Sequence, residues 1–460
     1  MYQDLSFMKV PLPEDVLKLK IYGDYAGAQK MIRYFLEEKD IPQALRKRLE
    51  IEQEVIGVMG GNEYPFTYDE ALEIMTSHLR DFKKEELDQL KEISAADWIY
   101  IDGEVHFQRR FYENLIKTRP DFAERVIVEN PEDEKENNLK QKLLNENIHY
   151  MKEHGGRTVR TRIRSTIKAK KEFEEVGRKV RVHLPIPKVY EQVSNVEIHA
   201  SNPEITYIAP EDAPQRTVYF ETELKPDQEF MVDYSFDYHV NYVELDPAKV
   251  SEEQPDFYLE EQAPHIVFTP YLRELRDELA GDERNPIILA RRFYDFVTTK
   301  VMYSFMREYF TIECIPEYCA INLKGDCGVQ ALLFITLCRM SGIPARWQSG
   351  LYATEYYTGC HDWSQFYVAP YGWVFADLSF GGSAWRAGEK ERWNYYFGNL
   401  DIFRMPANSE IQKEFMPEKK WLRIDPIDNQ RGEFEYEDRG LRFSQLDVSQ
   451  KLISMEDIEK

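Results

Sequence analysis

A cysteine, a histidine and an aspartate stand in the order Cys327, His361, Asp377, at intervals of 34 and then 16 residues. These are the parts of nucleophilic acyl transfer. A thiolate attacks a carbonyl, an imidazole carries the proton, and a carboxylate fixes the imidazole's tautomer. Cys327 directly follows Gly325-Asp326 and precedes an apolar run from Ala331 to Cys338 broken only by Thr336. That run predicts a helix buried on nearly every side. It stops at Ser341-Gly342, and Ile343-Pro344 follows as an ordinary helix exit. Only the first turn of such a helix reaches solvent. A thiol there meets free backbone N–H groups and the positive end of the helix dipole, which favour the thiolate.

The other two residues belong to a predicted hairpin. His361 to Val368 alternates apolar and polar positions, Ala369-Pro-Tyr-Gly breaks the pattern, and Trp373 to Leu378 resumes it. The midpoint of 361 and 377 is Ala369, so a loop centred there sets His361 and Asp377 opposite each other on one face. The carboxylate then engages one imidazole nitrogen and leaves the other for the thiol.

Each residue alone also has a structural reading: a cysteine behind a glycine, a histidine at a strand start, an aspartate at a strand end. Together with the buried helix they point to catalysis. Cys338 returns to the same helix face eleven residues on, but at ~1.5 Å per residue it lies roughly 16 Å away and belongs to the core. Cys314, Cys319, Cys327, Cys360 and His361 match no usual zinc spacing, and Cys360 and His361, adjacent on a strand, face opposite ways. No metal and no other cofactor is expected.

The elements that must position these residues divide the chain into four parts of an α+β protein. Residues 1–175 read as helical. Ala28, Met31, Ile32 and Phe35 fall at helical spacing, and Thr67 reads as an N-cap before an acidic first turn. Residues 176–250 carry the β-rich runs Val180–Pro187, Val193–Ala200, Thr217–Leu224 and Met231–Val243, which imply a small antiparallel β-sandwich. Helical signals return near Pro270 and over Pro286–Lys300, opening a core over 251–404 that holds all five cysteines. Residues 405–460 are mixed and turn-rich, and their stretch around 425–440 could cover the site as a lid.

A net charge of −23 argues against nucleic acid and anionic membrane as partners. The one basic stretch, Arg157 to Arg181, has ten Lys/Arg against three acids and reads as a solvated face paired with acidic neighbours. No apolar run approaches membrane length, and the first residues lack a secretory pattern. Five cysteines within residues 314–360 make no disulfide framework, so a cytoplasmic protein with reduced thiols is expected. The aromatic cluster Trp385, Trp393, Tyr395, Tyr396 and Phe397 reads as core packing or as a groove lining.

Over roughly 255–400 the sequence resembles the transglutaminase-like superfamily, a papain-like group of cysteine acyl-transferases and proteases. The resemblance rests on Gly325-Asp326-Cys327 opening a helix, Leu337 to Arg346 closing it, His361-Asp-Trp363, and Gly372-Trp373 before Asp377, with Tyr303 ahead of the nucleophile. It implies Cys327 as nucleophile, His361 as base and acid, and Asp377 as the orienting residue. It also implies a sandwich of the kind that precedes the core in bacterial relatives. Two departures stand out: Leu378 replaces the usual proline after Asp377, and no calcium-site acids are recognisable. The backbone N–H of Cys327 offers one oxyanion donor, and Asn322 is a candidate for the second. The expected activity is hydrolysis of a peptide or protein amide. Amine acyl transfer through the same acyl-enzyme is one alternative, and a catalytically silent binding or scaffold module is another.

Overall fold

The apolar run behind Cys327 forms one helix, Cys327–Met340, whose residues from Gly328 to Arg339 are all buried. It packs through Phe334 on Phe366, with ring centroids 5.7 Å apart. The computed structural model describes residues 4–38, 40–127 and 132–458, without the side chains of 132–137.

Phe366 belongs to the central strand of a five-stranded antiparallel sheet. Its order is Phe397–Gly398, Gly372–Ala376, Thr358–Val368, Ala345–Ala353, Arg404–Asn408. Helices Pro286–Lys300 and Leu378–Arg386 complete the core around Cys327–Met340. Pro286 sits at the start of its helix behind the N-cap Asn285, whose side chain accepts from Ile287 N and Ile288 N.

The hairpin differs from expectation by one residue in its centre. Its pairs run from Ser364–Ala376 to Val368–Gly372, so the turn centres on Pro370, not Ala369. The cause is Gly372, whose φ of 79° closes a three-residue loop that the sequence pattern had placed earlier. Continuing that register sets position 377 against Trp363, two residues along from His361. Asp377 lies past the end of the strand and caps the helix Leu378–Arg386, accepting from Phe380 N at 2.9 Å.

The sandwich is larger than 176–250. One sheet is ordered Glu433–Tyr436, Lys179–Pro185, Thr217–Glu223, Tyr207–Ile208; the other is ordered Leu446–Asp457, Gly156–Ala169, Phe230–Asn241, Val193–Asn202. The sheets meet through Phe230, 5.6 Å from Phe220 and 5.7 Å from Phe434. The sandwich thus begins at Gly156 and takes one strand for each sheet from the C-terminal residues. Residues 405–460 are therefore not a separate extension: they leave the core sheet and are woven into the sandwich. The basic stretch starts in the long strand Gly156–Ala169 and ends in Lys179–Pro185 of the other sheet; Arg162 and Arg164 both pair with buried Asp233, and Arg160 pairs with Asp237.

The N-terminal region is mainly helical but holds a three-stranded antiparallel sheet of Phe66–Thr67, Glu104–Phe107 and Trp98–Ile101. Its strands are two to four residues long, too short to register as alternation. Among the described residues no helix is long and apolar enough to cross a membrane.

Candidate active site

Cys327 is the first residue of its helix, behind Asp326, whose carboxylate accepts from Val329 N at 3.3 Å. The two-residue bridge between Met302–Tyr303 and Lys324–Gly325, with Tyr303 paired to Gly325, fixes the chain entering this turn. The thiol donates to Asp362 Oδ2 at 3.2 Å. Tyr309 donates its hydroxyl to Asp326 Oδ1 at 2.5 Å and lies 3.5 Å from Asp362 Oδ2. Space for this cluster depends on Gly328, where a Cβ would stand 2.4 Å from the Tyr309 hydroxyl and 2.7 Å from Asp362 Oδ2.

The thiolate is not favoured here, contrary to the expectation from the helix terminus. Burial raises the Cys327 thiol well above its usual range, and the carboxylates of Asp362 and Asp326 add to the effect; the backbone N–H of Asp362 works against it. The same crowding acts on the acids. Burial and the neighbouring Asp326 push Asp362 up to about 7, and burial pushes Asp326 up to about 6.

His361 and Asp377 are in contact. His361 Nε2 lies 2.7 Å from Asp377 Oδ2, and both side chains are buried. Asp377 also pairs with Arg404 Nη1 at 2.8 Å, and Arg404 engages Asp401 through Nε at 3.0 Å and Nη2 at 2.5 Å. Burial works to raise Asp377, but His361 and Arg404 outweigh it and hold it at about 2. Burial lowers His361, with Asp377 pulling the other way. Arg404 is always charged, so it keeps Asp377 ionised beside a neutral imidazole. Phe380 flanks His361 at a centroid distance of 4.7 Å.

No hydrogen bond joins Cys327 to His361 among the described contacts. His361 and Asp362 are neighbours on one strand, where successive side chains alternate faces, and Asp362 is the one that meets the thiol. Each residue opens into its own cavity. His361 lines one of about 500 Å³ and Cys327 one of about 300 Å³; Tyr303, Tyr357 and Cys360 line both. Asp425, Asp428 to Arg431 and Glu433 of the C-terminal segment contribute to the Cys327 cavity. There Gln430 Nε2 donates to Asp362 Oδ1 at 2.6 Å and to His361 O at 3.1 Å, while Arg431 Nε donates to Cys360 Sγ at 3.3 Å.

Asn322 does not stand where an oxyanion donor is needed. It is the exposed last residue of helix Ile315–Asn322, donates its amide to Tyr318 O at 2.8 Å, and lines neither cavity. Leu323, at φ 49°, ends that helix and turns the chain away. Of the aromatic cluster, Trp393, Tyr395, Tyr396 and Phe397 are buried, Trp385 is exposed, and none lines either cavity. Sequence reasoning overlooked Asp362, Tyr309, Arg404 and Gln430. The Asp in His361-Asp-Trp363 was the one visible signal among them.

Residues 273–378 match the family model of the transglutaminase-like superfamily. The chain carries a transglutaminase-like core. No curated protein matches the sequence. Among solved structures, a Cytophaga hutchinsonii protein proposed to be a cysteine protease is similar at 13% identity, with 66% of this chain and 98% of that one covered and a TM-score of 0.39. The periplasmic domain of TgpA from Pseudomonas aeruginosa is similar at 14% identity, with 54% and 96% covered and a TM-score of 0.26. Both likenesses are too distant to carry a functional argument. The transglutaminase-like match spans Cys327, His361 and Asp377 and leaves the sandwich and the helical region outside it.

Proposed function

We propose that this chain is a cysteine-dependent acyl-transfer enzyme acting on peptide or protein amide bonds. Cys327 is the nucleophile, His361 the base and acid, and Asp377 the residue that orients His361. The observation that carries this reading is the buried Asp377–His361 contact beside the helix that starts at Cys327. With Nε2 committed to Asp377, Nδ1 is the imidazole nitrogen left to take a proton.

In the first step Cys327 Sγ bonds to the amide carbon and its proton passes to His361. The backbone N–H of Cys327, at the open end of its helix, is a donor for the oxygen that gains charge. The C–N bond then breaks, the leaving amine takes the proton from His361, and a thioester remains on Cys327. Water, deprotonated by His361, resolves the thioester to a carboxylic acid and restores the thiol. The thiol must first exchange its Asp362 partner for His361, because its resting hydrogen bond is to the carboxyl.

Hydrolysis is our reading of the second half-reaction. The Cys327 cavity is walled by carboxyl, guanidinium and amide groups, the kind of surface that holds water. Amine transfer through the same thioester is the alternative. The bond from Cys327 to Asp362 favours a different reading, a silent binding module with a structural thiol. Incubation with a peptide library, with and without a primary amine, separates all three by mass spectrometry. Acid products lost in Cys327→Ala support hydrolysis, amine adducts support transfer, and no Cys327-dependent product sinks both enzymatic readings.

A further inference from the structure

The cavity that His361 lines is positively charged in a chain that is otherwise strongly acidic, with 82 Asp/Glu against 59 Lys/Arg. Lys117, Lys140, Arg386 and Arg392 line it, and no carboxylate does among the described residues. Three of these cations are held by neutral groups. The Lys117 ammonium lies 5.4 Å from the Tyr303 centroid and 5.2 Å from that of Phe305. Arg386 donates to Val301 O at 3.4 Å, and Arg392 donates to Asn145 Oδ1 at 3.1 Å. The acids four residues either side of Lys117 are taken up elsewhere, Glu113 by Arg110 at 2.6 Å and Asp121 by Arg119 at 2.7 Å. Lost hydration at Lys117, and then the charges of Arg110 and Arg386, hold its ammonium below the usual range, with Glu113 opposing. Lys117, Arg386 and Arg392 thus bring positive charge to one cavity that no carboxylate lines among the described residues.

We propose that this cavity is a subsite for a carboxylate that the substrate carries beside the reacting amide, from an acidic peptide residue or from a free C-terminus. The proposal rests on the reading of Cys327 and His361 as an acyl-transfer pair. The geometry gives it direction. Because Tyr303, Tyr357 and Cys360 border both cavities, an amide at Cys327 places its neighbouring group against Lys117 and Arg386. The Cys327 cavity is lined by both signs, with Arg109, Arg110, Arg307 and Arg431 against six acids, so it offers a carboxylate less positive charge than the His361 cavity does. The charge difference between the two cavities orients the substrate as well as binding it.

Binding is read apart from turnover by using the full-length Cys327→Ala protein. Fluorescent peptides that differ only in glutamate against glutamine beside a central amide, each with a free or an amidated C-terminus, are titrated against it. A glutamate or a free terminus is expected to tighten binding about tenfold, and the more effective arm identifies the source of the carboxylate. The gain should shrink in added salt. It should also largely vanish when Lys117→Gln or Arg386→Gln is added. Equal affinity for charged and neutral peptides, or a preference that survives both substitutions, overturns the subsite. Turnover by the wild-type chain is scored separately on the same peptides. Turnover without acid preference overturns the subsite alone, and acid-selective binding without turnover overturns the enzymatic reading alone.

Discussion

Cys327 Sγ lies 3.2 Å from Asp362 Oδ2, so the residue that holds the candidate nucleophile is a carboxyl and not the imidazole one position earlier on the strand. Burial opposes thiolate formation, and a negative charge at that distance adds to it. Asp362→Asn keeps the shape and removes the charge. The midpoint of the pH profile for Cys327 alkylation by iodoacetamide should therefore fall by about one unit or more. An unmoved profile means that Asp362 is not what keeps the thiol protonated.

The same cluster sets a pH dependence of stability. Asp362 at about 7 and Asp326 at about 6 are raised above their unfolded values. Between about pH 4 and 7 the unfolded chain has already released protons that the folded chain keeps, so stability falls as pH rises. Asp377, held at about 2, acts in the opposite sense: its contribution is complete above about pH 4 and is lost as the pH drops toward 2. Burial holds His361, His183 and His265 below the usual imidazole range, and these groups add stability as pH rises toward 6.5. The carboxyl effect is therefore read as a difference: from pH 5 to 8 the wild-type melting temperature should fall relative to that of Asp362→Asn. An identical pH dependence of melting temperature in the two proteins contradicts this account of Asp362.

The parts of this site that were legible in the sequence are those written in local pattern. Ala331 to Cys338 is apolar enough to specify the buried helix, and the alternation from His361 to Val368 specifies a strand. What lay beyond reading was tertiary. Alternation says that His361 and Asp362 face apart, but helix packing decides which one meets Cys327. Arg404 reaches Asp377 from the far edge strand of the sheet, two strands away from the hairpin. The sandwich boundary was missed for a similar reason, since Gly156–Ala169 pairs with Leu446–Asp457 across most of the chain. Heavy positive charge disguised that first strand, because its Arg side chains alternate with buried Val159, Ile163 and Ile167.

Asp377 and His361 should separate when mutated one at a time. Asp377→Asn leaves the buried Arg404 charge facing an amide, with Asp401 the one ion-pair partner left to it among the described residues. It should cost on the order of 3 kcal/mol in urea unfolding in addition to any loss of turnover. His361→Gln leaves the Asp377–Arg404 pair intact and should cost clearly less stability while removing turnover to the same degree. Equal destabilisation by the two changes means that Arg404 does not depend on Asp377.

The segment over the Cys327 cavity is anchored next to it by Glu433, which accepts from Lys419 Nζ at 2.5 Å, Arg423 Nε at 3.1 Å and Ile424 N at 3.1 Å, all buried. Glu433→Gln removes the negative charge between two buried cations, at a cost on the order of 3 kcal/mol. The strand Leu446–Asp457 is held independently by its ladder to Gly156–Ala169, so the loosening should centre on residues 409–432. Limited proteolysis should then cut within 409–432 while the last strand stays protected, and alkylation of Cys327 should quicken. Gln430→Ala tests the contact itself. It removes the hydrogen bonds to Asp362 and the His361 carbonyl, about 1–2 kcal/mol of local stability, with no change at the anchor. Faster Cys327 labelling in Gln430→Ala at an unchanged global melting temperature makes this segment a cover over the thiol. Unchanged labelling in both variants means that access to Cys327 is limited by the helix and strand that carry Cys327 and Asp362, and not by the C-terminal segment.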